Sequence, residues 1–145
     1  MAYTSKAQII TRWGADEVVL SADRDPQDGV ADDAAITAAC ADASSLIDSY
    51  LVRAGYTVPV DPVADILVGK ASDIAVYMLS QQVGASYTAE KRQRYEDALA
   101  WLETLATGKA ELPSVPDASK TATGVRSSGF PLAYQAAHLR GGGLL

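Results

Sequence analysis

Between residues 33 and 54 the apolar positions recur in steps of three and four: Ile36, Ala39, Cys40, Ala43, Leu46, Ile47, Tyr50, Leu51 and Ala54. That spacing holds one side of an α-helix apolar and predicts a helix about 33 Å long, with Asp32 as its N-cap and Gly55 as its stop. Three more stretches carry the same period. Residues 5–13 bury Ile9, Ile10 and Trp13, with Thr4 or Ser5 able to cap and Gly14 at the left-handed exit position. Residues 61–82 bring Val63, Ile66, Leu67, Ala71, Ile74, Ala75, Met78 and Leu79 into line, with Asp61 read as N-cap and Pro62 as the first helical residue. Residues 89–107 follow Thr88 as cap, align Tyr95, Ala98, Leu99, Leu102, Leu105 and Ala106, and end at Gly108. A second short turn at 16–20 opens on Asp16 and Glu17, where acids meet the positive end of a helix dipole, and offers Val18, Val19 and Leu20 for burial. Gly69 stands inside the 61–82 helix at a cost of ~1 kcal/mol relative to Ala, which predicts a close helix crossing there.

The period disappears after Gly108. Residues 109–145 contain Pro113, Pro116 and Pro131 and glycines at 124, 129 and 141–143, with one short apolar island from Phe130 to Tyr134. The pattern therefore predicts an all-α fold: a small bundle of about four helices over 1–108, and a long irregular C-terminal arm over 109–145 that is either disordered or ordered by what it binds.

Composition narrows what such a bundle can do. The chain has 145 residues, 48% of them hydrophobic, enough for one domain with a core of its own. Its net charge is −6, and the charge is divided: 1–108 holds 8 Lys/Arg against 16 Asp/Glu, while 109–145 holds 4 against 2. An acidic body argues against broad binding to nucleic acid or anionic membranes, which needs a cationic excess. No apolar run approaches the ~20 residues of a membrane span, and residues 1–13 have no apolar signal-peptide segment, so the expectation is a cytosol-like compartment without an anchor.

Candidate chemistry is sparse. Cys40 is the lone cysteine and falls on the apolar side of its helix, so it reads as a small core residue. His138 is the lone histidine and reads as a surface residue of the arm. Together they exclude an internal disulfide and are too few for a thiolate zinc site. The loop 23–33 (Asp23, Arg24, Asp25, Pro26, Gln27, Asp28, Gly29, Val30, Ala31, Asp32, Asp33) has the alternating acids of a calcium loop at its start. Gly29 comes one residue late, however, and no closing Glu follows, so a turn with helix capping is the stronger reading. Gly141 to Gly143 lack the Lys-Ser/Thr of a phosphate loop. The neighbours Glu96/Asp97 and Asp32/Asp33 do not face each other on a helix, so they make no acid-base pair. Lys91, Arg92 and Arg94 beside Glu90, Glu96 and Asp97 read as a solvated face with i,i+4 pairs. No catalytic residue, cofactor site or metal site is assigned, and the expectation is that the chain is not an enzyme.

Several stretches occur together in an order that resembles a family. They are the opening from Met1 to Gly14, with Tyr3 ahead of a short capped helix and Trp13-Gly14 as an aromatic stop; Ser21-Ala22-Asp23-Arg24-Asp25; Ala41-Asp42-Ala43; Ile47-Asp48-Ser49-Tyr50-Leu51; Ser72 to Leu79; and Lys91 to Leu102. Over about residues 2–112 the chain resembles the Mu-like bacteriophage neck proteins, the head-tail connector or head-completion (adaptor) class. The Asp25-Pro26-Gln27-Asp28 run departs from the more regular acidic loop of that family, and the arm is not matched. The resemblance implies a virion protein made in the host bacterial cytoplasm, located in the neck at the head-tail interface. It implies a ring of about twelve copies by analogy with portals, closed by heterologous contacts. The implied partners are further copies of the chain, the portal protein and a tail-side stopper or terminator protein. Genomic DNA would pass through without sequence-specific binding, and no membrane, cofactor or catalytic residue is implied. Two other readings stay open on the residues alone: a helical adaptor or regulatory domain that binds one partner through its arm, and a small metal-dependent enzyme built on the acidic loop.

Overall fold

The structure is a computed structural model that describes residues 2–25, 28–82 and 87–113. Among these residues it is all-α, with five helices and no strand: α1 Lys6–Trp13, α2 Ala15–Ala22, α3 Asp33–Arg53, α4 Asp65–Gln82 and α5 Ala89–Ala106. The helical bundle expected from the periodicity is what the chain forms. The additional helix is the segment read as a short turn at 16–20. Gly14, at φ 93°, both closes α1 through its N–H to the Ile10 carbonyl and opens α2, so the two helices form a tight corner.

The three long helices pack on one another, and the α1–α2 corner lies across α4 and touches α3. The shared core contains Ile36, Ile47 and Leu51 from α3, Leu67, Ile74 and Leu79 from α4, and Leu102 and Leu105 from α5, all fully buried. Ala39, Ala43, Ala71 and Ala75 are also buried, and these small side chains let α3 and α4 approach closely. Each buried Leu or Ile contributes about 1.5–3 kcal/mol relative to exposure. The core thus stands on hydrophobic burial, and side-chain polar contacts fix how the segments around it are placed.

The N-terminal segment shows this. Tyr3 is 2% exposed; its backbone N–H donates to Ser44 Oγ at 2.8 Å, its hydroxyl donates to the Asp48 carboxylate and accepts the Val60 N–H at 3.1 Å. Thr4 Oγ1 and Ser72 Oγ share a hydrogen bond at 2.7 Å. One residue pair thereby ties the chain ahead of α1 to α3, to the 57–62 connection and to α4.

Two expectations change. The helix read from 61 begins at Asp65. Val60 and Ala64 are turned into the core, so the chain must descend before it can coil, and the Ala64 carbonyl accepts the first helical N–H groups, from Leu67 at 2.9 Å and Val68 at 3.3 Å. Pro62 therefore lies in the connection, whose Val58-Pro59 and Asp61-Pro62 bonds are both cis. Second, what sits over Gly69 is the Arg12 guanidinium from α1, not a helix backbone: a Cβ there would stand 3.1 Å from Arg12 Nη1.

Past α5, the Lys109 and Ala110 N–H groups bond to the Thr104 carbonyl, and Leu112 is buried with its N–H donating to Tyr56 Oη at 3.2 Å. Residues 109–112, read from the sequence as part of the irregular arm, are seated on the body. Pro116, the apolar island from Phe130 to Tyr134, Pro131, His138 and Gly141 to Gly143 lie outside the described residues, as do Pro26 and Gln27 of the acidic loop.

Candidate functional site

The acidic loop is built as a capping device. Asp32 accepts the Ala34 and Ala35 N–H groups at 2.9 and 3.2 Å and so caps α3, the longest helix. Asp28 accepts the Val30 N–H at 2.8 Å, which tightens the turn. Asp33 pairs with Lys6 of α1 at 2.5 Å, and Arg24 reaches both Asp32, at 3.9 Å, and the side chain of Gln82 at the end of α4. What remains is a shallow depression of about 280 Å³ lined by Arg24, Asp25, Asp28, Val30, Ala31 and Asp32, with a guanidinium among its carboxylates. Asp23 Oδ1 is buried without a hydrogen-bond partner, but a hard cation asks for about six to eight oxygens. Among the described residues no three His, Cys, Asp or Glu side chains converge as metal ligands would. The turn-and-capping reading accounts for the loop.

Cys40 is buried in the core, and burial pushes its thiol up from its ordinary value, away from the thiolate a nucleophile needs. Glu96 pairs with Arg92 at 2.8 Å and Asp97 accepts from Gln93 at 2.9 Å, so these neighbours look to separate i,i+4 partners. Arg94 pairs with Glu90 at 2.7 Å in the same manner.

Lys91 corrects the solvated-face reading. It is 1% exposed, its ammonium pairs with Glu17 of α2 and donates to Ser21 Oγ at 3.1 Å, and Ser21 in turn donates to Glu17 at 3.0 Å. The signal is present in the spacing: 91 extends the apolar series of Tyr95, Ala98, Leu102 and Leu105 by one more step of four. At this position residue type points to solvent and register to the core.

Two groupings were not foreseen. The first joins α1, α4 and α5. Arg94 stacks over the Trp13 ring at 4.4 Å, and the half-buried Asp73 lies amid Arg94, Lys70 and Arg12. Burial raises the Asp73 carboxyl above its ordinary value, and the three cations oppose that rise. Beside this cluster an open groove of about 410 Å³ runs between α1 and α4, lined by Gln8, Thr11, Arg12, Asp65 and Val68. The second grouping is aromatic. Tyr77 and Tyr95 stack at 4.1 Å with 15° between their planes, Tyr87 tilts against Tyr77 at 6.3 Å, and Tyr50, covered by Arg53 at 5.7 Å, is near enough to Tyr95 to raise its hydroxyl further after burial and Tyr77 have done so. Neither grouping holds a nucleophile with a base beside it. Their make-up suits recognition of a surface: aromatic area, guanidinium groups and a polar edge.

The described helices include none long and apolar enough to cross a membrane. Compared with known proteins, residues 3–128 match the family described as Bacteriophage Mu, Gp36. A stretch of 84 residues is 33% identical to "Gene product J" of Escherichia phage Mu, which covers 58% of this chain and 57% of that protein. The chain thus aligns with little more than half the length of that curated relative.

Proposed function

The chain belongs to the bacteriophage Mu Gp36 family, and on that premise we propose that it is a structural head-tail connector of a tailed phage, not an enzyme. In this reading copies of the chain form a ring below the portal, extend the DNA channel, and join the capsid to the tail through a tail-side stopper or terminator protein. The family match carries the proposal, because it spans all five helices and runs beyond them.

Two physical features support it. A channel for passing DNA should repel rather than grip, and 1–108 carries twice as many acids as bases. A ring protomer must keep its shape under load, and here the core is knitted by segments far apart in sequence, as Tyr3 is to Asp48 and Val60.

The test is a phage genome lacking this reading frame, complemented with the full chain or with residues 1–113. Without it, infected cells should accumulate heads and tails that do not join, and electron microscopy of complemented particles should place the tagged full chain at the neck. The shortened chain should keep its helical circular dichroism and fail to restore particles. Normal infectious particles without the chain would overturn the connector reading.

A further inference from the structure

Four of the seven tyrosines gather on one side of the bundle, from α3 (Tyr50), the approach to α5 (Tyr87), α4 (Tyr77) and α5 (Tyr95). None of the four is buried as a core residue, and Tyr87 is 42% exposed. Polar groups edge the shelf: Arg53 over Tyr50 and paired to Glu103, Gln81 donating to Tyr77 Oη at 2.8 Å, and Arg92 hydrogen-bonded to Tyr87. Aromatic faces with a polar rim are the chemistry that takes up extended, proline-containing segments, whose flat prolines lie on rings and whose stiff backbone loses little entropy on docking.

The chain itself supplies a proline-containing apolar segment of that composition. Gly129-Phe130-Pro131-Leu132-Ala133-Tyr134 is the apolar island of 114–145, and Phe130 is the sole phenylalanine in the protein. The segment's root is fixed, because Leu112 is held at Tyr56. From Pro113 to Phe130 an extended chain reaches up to roughly 60 Å, while a body of this size has a radius of gyration of only ~13 Å. The reach is ample for an adjoining subunit. Residues 109–145 as a whole carry more bases than acids, and residues 1–108 the reverse.

The geometry points to the Tyr50–Tyr77–Tyr87–Tyr95 shelf as the docking surface for residues 129–134 of a neighbouring copy of this chain. This inference rests on the ring reading above and names the contact that would link one protomer to the next.

The experiment uses purified full-length chains and sedimentation in the analytical ultracentrifuge. The unaltered chain should associate as concentration rises. A shelf variant, Tyr77→Ser with Tyr87→Ser, and a segment variant, Phe130→Ala with Leu132→Ala, should each stay monomeric with unchanged far-ultraviolet circular dichroism. Unchanged circular dichroism of the segment variant separates loss of association from unfolding. Mixing the two variants should restore one contact per pair and give a species of twice the monomer mass, since one retains a shelf and the other a segment. Association of either variant as strong as that of the unaltered chain would overturn the proposal, as would an unaltered chain that remains monomeric up to millimolar concentration. Monomers in the mixture, with a segment protected from protease only in the unaltered chain, would mean docking onto the same copy and would equally overturn it. These outcomes concern a purified chain, so they fail or hold separately from the particle experiment that tests the connector reading.

Discussion

Lys91 of α5 and Glu17 of α2 form an ion pair in which the lysine is 1% exposed and the glutamate 27%. The partners are unequal, and so are the consequences of losing either. Without Lys91, the Glu17 carboxylate can turn to water. Without Glu17, a buried ammonium loses that carboxylate and keeps its hydrogen bond to Ser21. Breaking a buried pair costs about 3–5 kcal/mol when a charge is stranded, and much less when the survivor can rehydrate. Glu17→Ala should therefore lower unfolding stability by about 3 kcal/mol or more, and Lys91→Met, which keeps the stem's packing, by about 1 kcal/mol. Urea denaturation of both variants checks the order, and the reverse order would contradict the account.

The same lysine shows how far the sequence could be read. The periodicity of apolar residues located the three long helices because their cores are made of Ile, Leu and Ala at helical spacing, and nothing local opposed them. Lys91 obeys that spacing, yet its charge alone points to solvent, since its partner lies on another helix and 74 positions earlier in the chain. The start of α4 departs from its local signal for a related reason. Asp61-Pro62 is a strong local start signal, yet the burial of Val60 and Ala64 is a tertiary demand that no local signal reports. Capping by Asp32 was legible because the acid, the donors and the helix are adjacent. The tyrosine shelf was not, because Tyr50, Tyr77 and Tyr95 each look like an ordinary interior position of its own helix until the three are brought together.

Tyr3 links stability to alkaline pH. Burial first, then its hydrogen bond to Asp48, raises its hydroxyl well above the ordinary tyrosine value, while the Val60 N–H works in the opposite direction. In the unfolded chain the group titrates near pH ~10. Between that value and the folded one the native state binds the extra proton, so stability falls as pH rises. The contribution is complete below pH ~10 and is lost above it. Tyr3→Phe removes the hydroxyl and strands the buried Val60 N–H, which should cost about 1–3 kcal/mol at neutral pH. The variant should also lose less stability than the unaltered chain between about pH 9 and pH 11. Thermal melts across that range measure the slope, and parallel slopes for the two proteins would remove Tyr3 as the source.

Gly69 offers a gain in stability whose size depends on Arg12. A glycine inside a helix gives up about 1 kcal/mol relative to alanine. The atoms a new Cβ would meet are Arg12 Nη1 at 3.1 Å, Cζ at 3.4 Å and Nη2 at 3.6 Å, all at the far end of one flexible side chain. The Arg12 side chain is on the surface, so it can shift by a few tenths of an ångström without disturbing the core. Gly69→Ala should therefore stabilise the bundle by about 0.5 kcal/mol, the propensity gain less the disturbance to Arg12. In an Arg12→Ala background the obstruction is gone, and the same substitution should return nearly the full ~1 kcal/mol. A double-mutant cycle by urea denaturation reads the difference directly. If Gly69→Ala destabilises equally in both backgrounds, the glycine is required by the crossing of α1 and α4 themselves, and the guanidinium is incidental to it.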